Sequence, residues 1–257
     1  MLVHPTHERL IALGLAGMAR GFEEQRRSPD IAALTFEERL GLLVDREAAE
    51  RETRRLATRL KHAALRHNAS IEDVDLRTPR GLDRALFQKL VAGDWIDRHE
   101  GLLVTGPTGV GKSWLACALA HKACRDGRRV LYQRVPRLFE ALAVARGDGR
   151  HSRALKALAR VELLVLDDWG LSVLTQPERE TLLEILEDRH GRSSTILTSQ
   201  VPVEQWHAVI GSPTLADAIL DRLVHNAHRI ELKGESMRRI TARHAMTTQT
   251  LDVREPS

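Results

Sequence analysis

Gly106-Pro107-Thr108-Gly109-Val110-Gly111-Lys112-Ser113 decides how this chain is read. Three glycines in eight residues let the backbone take dihedrals that a Cβ resists, so successive amide N–H groups can point inward at one anion. The run just before it, Leu102-Leu103-Val104-Thr105, is aliphatic and of strand type, and residues 114–124 follow a helical pattern. A glycine loop between a strand and a helix sets phosphate against the positive end of the helix dipole. Lys112 is then spaced to reach the β- and γ-phosphates of ATP, and the Ser113 hydroxyl to hold Mg²⁺. A chance match to this pattern in a chain of this length is on the order of 1%.

Downstream, Leu163-Leu164-Val165-Leu166-Asp167-Asp168 reads as a buried strand ending in two carboxylates. They would stand at the carboxyl edge of an α/β sheet, where ligands bind. Asp167 is expected to hold Mg²⁺ with Ser113, and Asp168 to orient or deprotonate an attacking water. A further strand at 195–198 is followed by Ser199-Gln200. If it lies between the loop strand and the Asp strand, that corner faces the γ-phosphate, and either Ser199 or Gln200 would hold the lytic water. Five short apolar runs, 102–105, 130–133, 163–166, 195–198 and 229–232, alternate with helical patterns. This βαβ rhythm predicts a parallel sheet covered on both faces.

Upstream the texture is helical. Ile11, Leu15, Met18 and Phe22 share one helical face, Ser28-Pro29-Asp30 interrupts, and residues 34–66 read as a second helix ending before Asn68-Ala69-Ser70. Residues 46–66 hold seven Arg or Lys against three Glu. On a helical wheel Arg51, Arg55, Arg59, His62 and Arg66 fall within an arc of about 80°. Two readings stand for that stripe: a solvated face, or a surface that contacts the phosphates of duplex DNA. Thr78-Pro79 reads as a helix start, with Leu82, Leu86 and Leu90 on its buried face. The expected organisation is a helical N-terminal domain at 1–70, an ATPase domain at 71–247 and a polar tail at 248–257.

The 257 residues are 42% apolar and 29% charged, which fits a globular protein and excludes a disordered one. No apolar run approaches the roughly 20 residues of a membrane span. The N-terminus lacks a signal-peptide layout, so the expected setting is cytoplasmic, with no membrane partner. Cys117 and Cys124 lie seven residues apart in one helix. That spacing of about 10 Å is too long for a disulfide, so buried thiols are expected.

The chain resembles the IstB-type ATPase helpers of insertion-sequence transposition, relatives of the DnaC helicase loaders within the AAA+ superfamily. The resemblance is carried by Thr78-Pro-Arg-Gly-Leu-Asp83, the loop from Gly106 through Trp114, Leu197-Thr-Ser-Gln200, Asp217-Ala-Ile-Leu-Asp-Arg-Leu223 and Gly234-Glu-Ser-Met-Arg238. Gly17-Met18-Ala19 and 34–40 add to it. It implies an AAA+ αβα sandwich with a five-stranded parallel sheet in the order 5-1-4-3-2, a small all-helical N-terminal domain, and a lid that is reduced or absent. It also implies a homo-oligomeric ring or spiral, with ATP at subunit boundaries. Residues 106–114 would then bind nucleotide, Arg222 would be an arginine finger reaching a neighbour's γ-phosphate, and Arg238 or Arg239 would be a second sensor. The implied partners are duplex DNA and an IstA-type transposase. A DnaC-like helicase loader is the alternative. A small-molecule kinase is disfavoured, because no mobile Arg-rich lid is apparent and paired carboxylates suit attack by water.

Overall fold

The chain divides into two compact units, Met1–Arg59 and Leu60–Ser257. They are described here from a computed structural model that covers residues 4–237 and 239.

The first unit holds α1 (Pro5–Ala12), α2 (Ala16–Arg27) and most of α3 (Phe36–Ala63). The apolar face expected across Ile11 to Phe22 is split, because Gly14 takes a left-handed φ of 75° and turns the chain between α1 and α2. Glu47 of α3 fixes the start of α2. Its buried carboxylate accepts the N–H groups of Gly17 (2.8 Å) and Met18 (3.1 Å). Two otherwise orphaned donors thus meet an anion at the positive end of a helix. Gly17 is required there, because an added Cβ would lie 2.7 Å from the Glu47 Cα. Thr35 and Glu38 form a reciprocal cap that starts α3. Along α3, Arg51 pairs with Glu47 (2.7 Å), while Arg59 (2.5 Å) and Arg55 (4.0 Å) pair with Glu52. The first three cations of the basic stripe therefore have acidic partners on their own helix.

The second unit begins with the end of α3. Ala64, at φ 50°, turns the chain, so Arg66 leaves the stripe the periodicity assigned it. Thr78-Pro79 does not start a helix either. Asp75 accepts the N–H groups of Arg77 (2.8 Å) and Thr78 (3.1 Å) and folds this stretch into a turn. The helix starts later, as α4 (Arg84–Ala92), with Asp83 as N-cap accepting the Leu86 N–H at 2.8 Å. The short α5 (Asp94–Asp97) leads into the sheet.

Five parallel strands follow: β1 (Gly101–Thr105), β2 (Val130–Arg134), β3 (Leu163–Trp169), β4 (Ser194–Ser199) and β5 (Ala227–Glu231). Their order, β2-β3-β4-β1-β5, is the expected one read from the opposite side. Between them run α6 (Lys112–Arg125), α7 (Val135–Gly147), α8 (His151–Ala159), α9 (Gln176–Arg189), α10 (Trp206–Ile210) and α11 (Pro213–Val224). Side chains alternate across the strands. Leu103, Leu164, Leu166 and Leu197 join Phe139, Leu182, Trp206 and Ile219 in one core. Leu102, Val104, Val165 and Ile196 are buried as well, and α6 packs on β1, β3 and β4. The sheet is thus covered on both faces, as parallel sheets need. Cys117 and Cys124 are buried free thiols in α6. Among the described residues no helix is long and apolar enough to cross a membrane. The residues that bear on a lid or a tail lie outside those described.

Candidate nucleotide site

The glycine loop leaves β1 at the carboxyl edge of the sheet and feeds α6, whose first residue is Lys112. Gly109 and Gly111 take φ of 90° and 97°. A Cβ at Gly109 would overlap the Ser236 hydroxyl, and one at Gly111 would come 2.7 Å from Arg80 Nη1. Both close approaches serve the loop. Arg80 is buried, and donates to the carbonyls of Val110 (3.1 Å) and Asp75 (3.1 Å). From the other end of the chain, the Leu232 N–H meets the Thr105 carbonyl (2.8 Å), and the Met237 N–H meets that of Gly109 (2.9 Å). The motifs around Arg80 and Gly234 are far apart in sequence, and both brace the same loop. Lys112 donates to the carbonyls of Gly106 (2.6 Å) and Pro107 (2.8 Å). Burial lowers the Lys112 pKa, opposed by the carboxylates of Asp167 and Asp168. Trp114 is half-buried in the first turn of α6.

The carboxylates stand beside this loop. Asp167 is fully buried. Its Oδ1 accepts from Ser113 (2.7 Å) and from the Thr198 hydroxyl, and its Oδ2 from the Tyr132 hydroxyl and from Arg66 (3.5 Å). Burial alone would raise its pKa. The hydroxyls of Thr198, Tyr132 and Ser113 outweigh that and hold the acid below its ordinary value. Asp168 is less buried. A bulge between Leu166 and Trp169 puts it at a left-handed φ of 64°, with its N–H on Thr198 Oγ1 (3.3 Å). Its carboxylate pairs with Arg134 (2.8 Å) and Arg66 (3.6 Å).

At the end of β4 the structure departs from the expectation for Ser199. Strand alternation turns Thr198, not Ser199, toward Asp167. Ser199 is fully buried, donates to the Trp169 carbonyl (2.9 Å) and accepts the Val201 N–H (3.0 Å). Gln200, the other candidate, is exposed and accepts from Thr108 of the loop (2.7 Å). Arg238 lies outside the described residues. The neighbouring Arg239 is exposed, its N–H on the Ser236 carbonyl (2.9 Å).

Arg222 is elsewhere. It sits near the end of α11, which feeds β5 at the opposite edge of the sheet, where Ala227 is in register with Gly101. About 13 Å of strand separates the two edges. Arg222 donates to the Ala218 carbonyl (2.8 Å) and pairs with the exposed Glu187 (3.0 Å). It lines a cleft of about 490 Å³ with His99, His190, Thr195 and Asn226. Arg189 forms the floor of that cleft, buried and bonded to the carbonyls of Leu158 (2.7 Å), Val161 (2.9 Å) and Ser194 (2.5 Å).

Sequence reading missed Tyr132, Thr198, Arg66, Arg80 and Arg134 as members of this site. Arg134 ends the strand next to β3, and the register of that pair, which only the structure gives, sets it beside Asp167. Tyr132 carried a weak signal, a polar tip within the strand-type run 130–133. Arg66 carried none.

The donors suit ATP and a hard divalent cation. A positive-φ glycine loop ends at a helix N-terminus with a lysine, and a hydroxyl and a carboxylate 2.7 Å apart offer oxygen ligands beside it. With the sheet order, they define an AAA+ P-loop ATP-binding domain. The chain belongs to the IstB-like ATP binding protein family, whose model matches residues 8–245. A Sinorhizobium fredii chain named as an insertion sequence ATP-binding protein is 63% identical over 93% of this chain and 98% of its own length. One from Pseudomonas fluorescens, named for the insertion sequence IS1162, is 52% identical over 79% of this chain and 88% of its own. Among solved structures, DnaI is similar at 27% identity and a TM-score of 0.55, over 65% of this chain and 92% of that one. The DnaC helicase loader shares the fold at 22% identity and a TM-score of 0.51, over 58% of this chain and 87% of that one.

Proposed function

We propose that this chain is a Mg²⁺-dependent ATPase that assembles on duplex DNA and helps an insertion-sequence transposase engage its target, with hydrolysis at the boundary between two copies. Residues 106–114 cradle the triphosphate, and Lys112 turns from the loop carbonyls to phosphate. Ser113 and Asp167 hold Mg²⁺, which when bound neutralises charge on the phosphates. Asp168 orients or deprotonates water, with Gln200, just past β4, at the loop. The helical residues 1–70 face DNA or the transposase, and residues 71–247 carry the ATPase. The setting is cytoplasmic.

The observation that carries this reading is the placement of Arg222 at the sheet edge opposite its own glycine loop. A guanidinium there cannot serve its own phosphates, but it suits a neighbour's in a ring or spiral. The relatives named for insertion sequences favour transposition over helicase loading.

The test mixes two inactive proteins, Arg222→Ala and Lys112→Ala. In mixed assemblies some boundaries pair an intact loop from the first with an intact Arg222 from the second, so part of the DNA-stimulated ATPase should return. No recovery at any mixing ratio, with mixed assemblies verified by size, would refute a shared site.

A further inference from the structure

Arg66, which the periodicity assigned to the basic stripe of α3, instead lies three residues past the end of that helix. Its guanidinium nevertheless reaches both acids of the site, Asp167 Oδ2 at 3.5 Å and Asp168 Oδ2 at 3.6 Å. The geometry around Asp167 is divided. One oxygen faces Ser113 and Thr198, and the other faces Tyr132 and Arg66. Arg66 and Tyr132 therefore hold the far side of the carboxylate while its near side is presented to Ser113. Around Asp168 the backbone is left-handed, a conformation that a non-glycine residue keeps only when its surroundings hold it there. Arg134 donates a hydrogen bond to that side chain at 2.8 Å, and Arg66 forms an ion pair with it at 3.6 Å. Among the described residues Arg66 is the cation that pairs with both carboxylates. Both approaches are made by one nitrogen, Nη1, which lies between the two carboxylates as a shared cationic donor.

We propose that Arg66 is a positioning residue for ATP hydrolysis: it bridges Asp167 and Asp168 and fixes them relative to each other and to Ser113. It has no place in holding the triphosphate, which is the task of the glycine loop and Lys112. The inference rests on the reading of Asp167 and Asp168 given under Proposed function.

The test compares Arg66→Gln, Arg66→Lys and wild type. Hydrolysis is measured in single turnover with saturating ATP and Mg²⁺, and ATP affinity separately by equilibrium binding. Arg66→Gln should slow hydrolysis about 10-fold or more while ATP affinity stays within about 3-fold, and Arg66→Lys should recover most of the rate. A second arm, free of catalysis, is a double-mutant cycle on melting temperature with Arg66→Gln and Asp168→Asn. The two should be non-additive, because Arg66 loses a partner once Asp168 is neutral. An unchanged rate in Arg66→Gln would overturn the proposal, as would equal losses of rate and affinity or a Lys variant no better than Gln. If Arg66→Gln fails to fold, Arg66→Met, which keeps the stem and removes the charge, takes its place in the rate, affinity and melting measurements and decides the matter by the same criteria. Wild-type protein that binds ATP without hydrolysing it would refute the proposed function instead, and the melting cycle would still read the Arg66 bridge.

Discussion

The two edges of one sheet treat arginine and carboxylate differently. At the carboxyl edge Asp167 and Arg80 are taken out of water and given several partners each. Asp167 is fully buried among three hydroxyls and a guanidinium, and Arg80 is buried on two carbonyls. At the amino edge Arg189 is buried in the same manner and ties three carbonyls together. Arg222, beside the same cleft, donates to the Ala218 carbonyl and to an exposed glutamate. A buried, saturated guanidinium is committed to its own fold, because removing it strands polar groups away from water. One held by an exposed ion pair worth roughly 0–1 kcal/mol can be drawn off by a phosphate. Asp167 and Arg80 thus belong to a finished site and Arg189 to a fixed support, whereas Arg222 is the arginine that the proposed shared site would draw on.

The sharpest way to break that contrast is Arg222→Ala. Hydrolysis should fall by about 10³ to 10⁵, as for arginine fingers in other P-loop enzymes, while ATP binding by the isolated subunit is unchanged. Equal loss of both, by turnover and equilibrium binding, would mean that Arg222 supports its own fold. Next comes the pair of acids. Asp168→Asn should slow turnover by about 10² to 10⁴ and keep ATP bound, the range for loss of a general base. Asp167→Asn should instead weaken Mg²⁺-dependent nucleotide binding. Normal turnover in both variants would reduce them to structural caps. Lys112→Ala should weaken ATP binding by roughly 10- to 100-fold, the value of a charge-assisted bond to phosphate. Calorimetry with ATP checks it, and unchanged affinity would undo the finished-site reading. The smallest effect is expected on α3. Replacing Arg51, Arg55 and Arg59 together by Gln should lower the slope of log affinity for duplex DNA against log salt by about 0.9 for each phosphate no longer neutralised. Since all three cations already have acidic partners, an unchanged slope would identify the stripe as a solvated face or a protein-docking face.

Much of the fold was legible. The five strands appeared as five aliphatic runs because a doubly covered parallel strand must be apolar on both sides. The glycine loop was legible because positive φ beside a close neighbour leaves little choice of residue, as at Gly111 against Arg80. Helix ends were read less well. The start of α4 fell at Asp83 and not at Thr78, because Asp75 captured the Thr78 N–H first. The end of α3 fell at Ala63, where Ala64 takes a left-handed φ of 50°, although nothing in Ala63-Ala64-Leu65 signals a turn.

By itself, then, the sequence determined the loop chemistry, the two adjacent acids and the strand rhythm, because each is a constraint among neighbours along the chain. Only the tertiary structure decided which side chains meet those acids. Tyr132, Thr198, Arg134 and Arg66 come from two strands and a turn, 31 to 101 residues from the carboxylate they touch. Their approach is set by sheet order and register, and by a turn after α3 that leaves no local trace. A hydrogen bond between residues so far apart costs nothing in local propensity, so no pattern in the sequence records it.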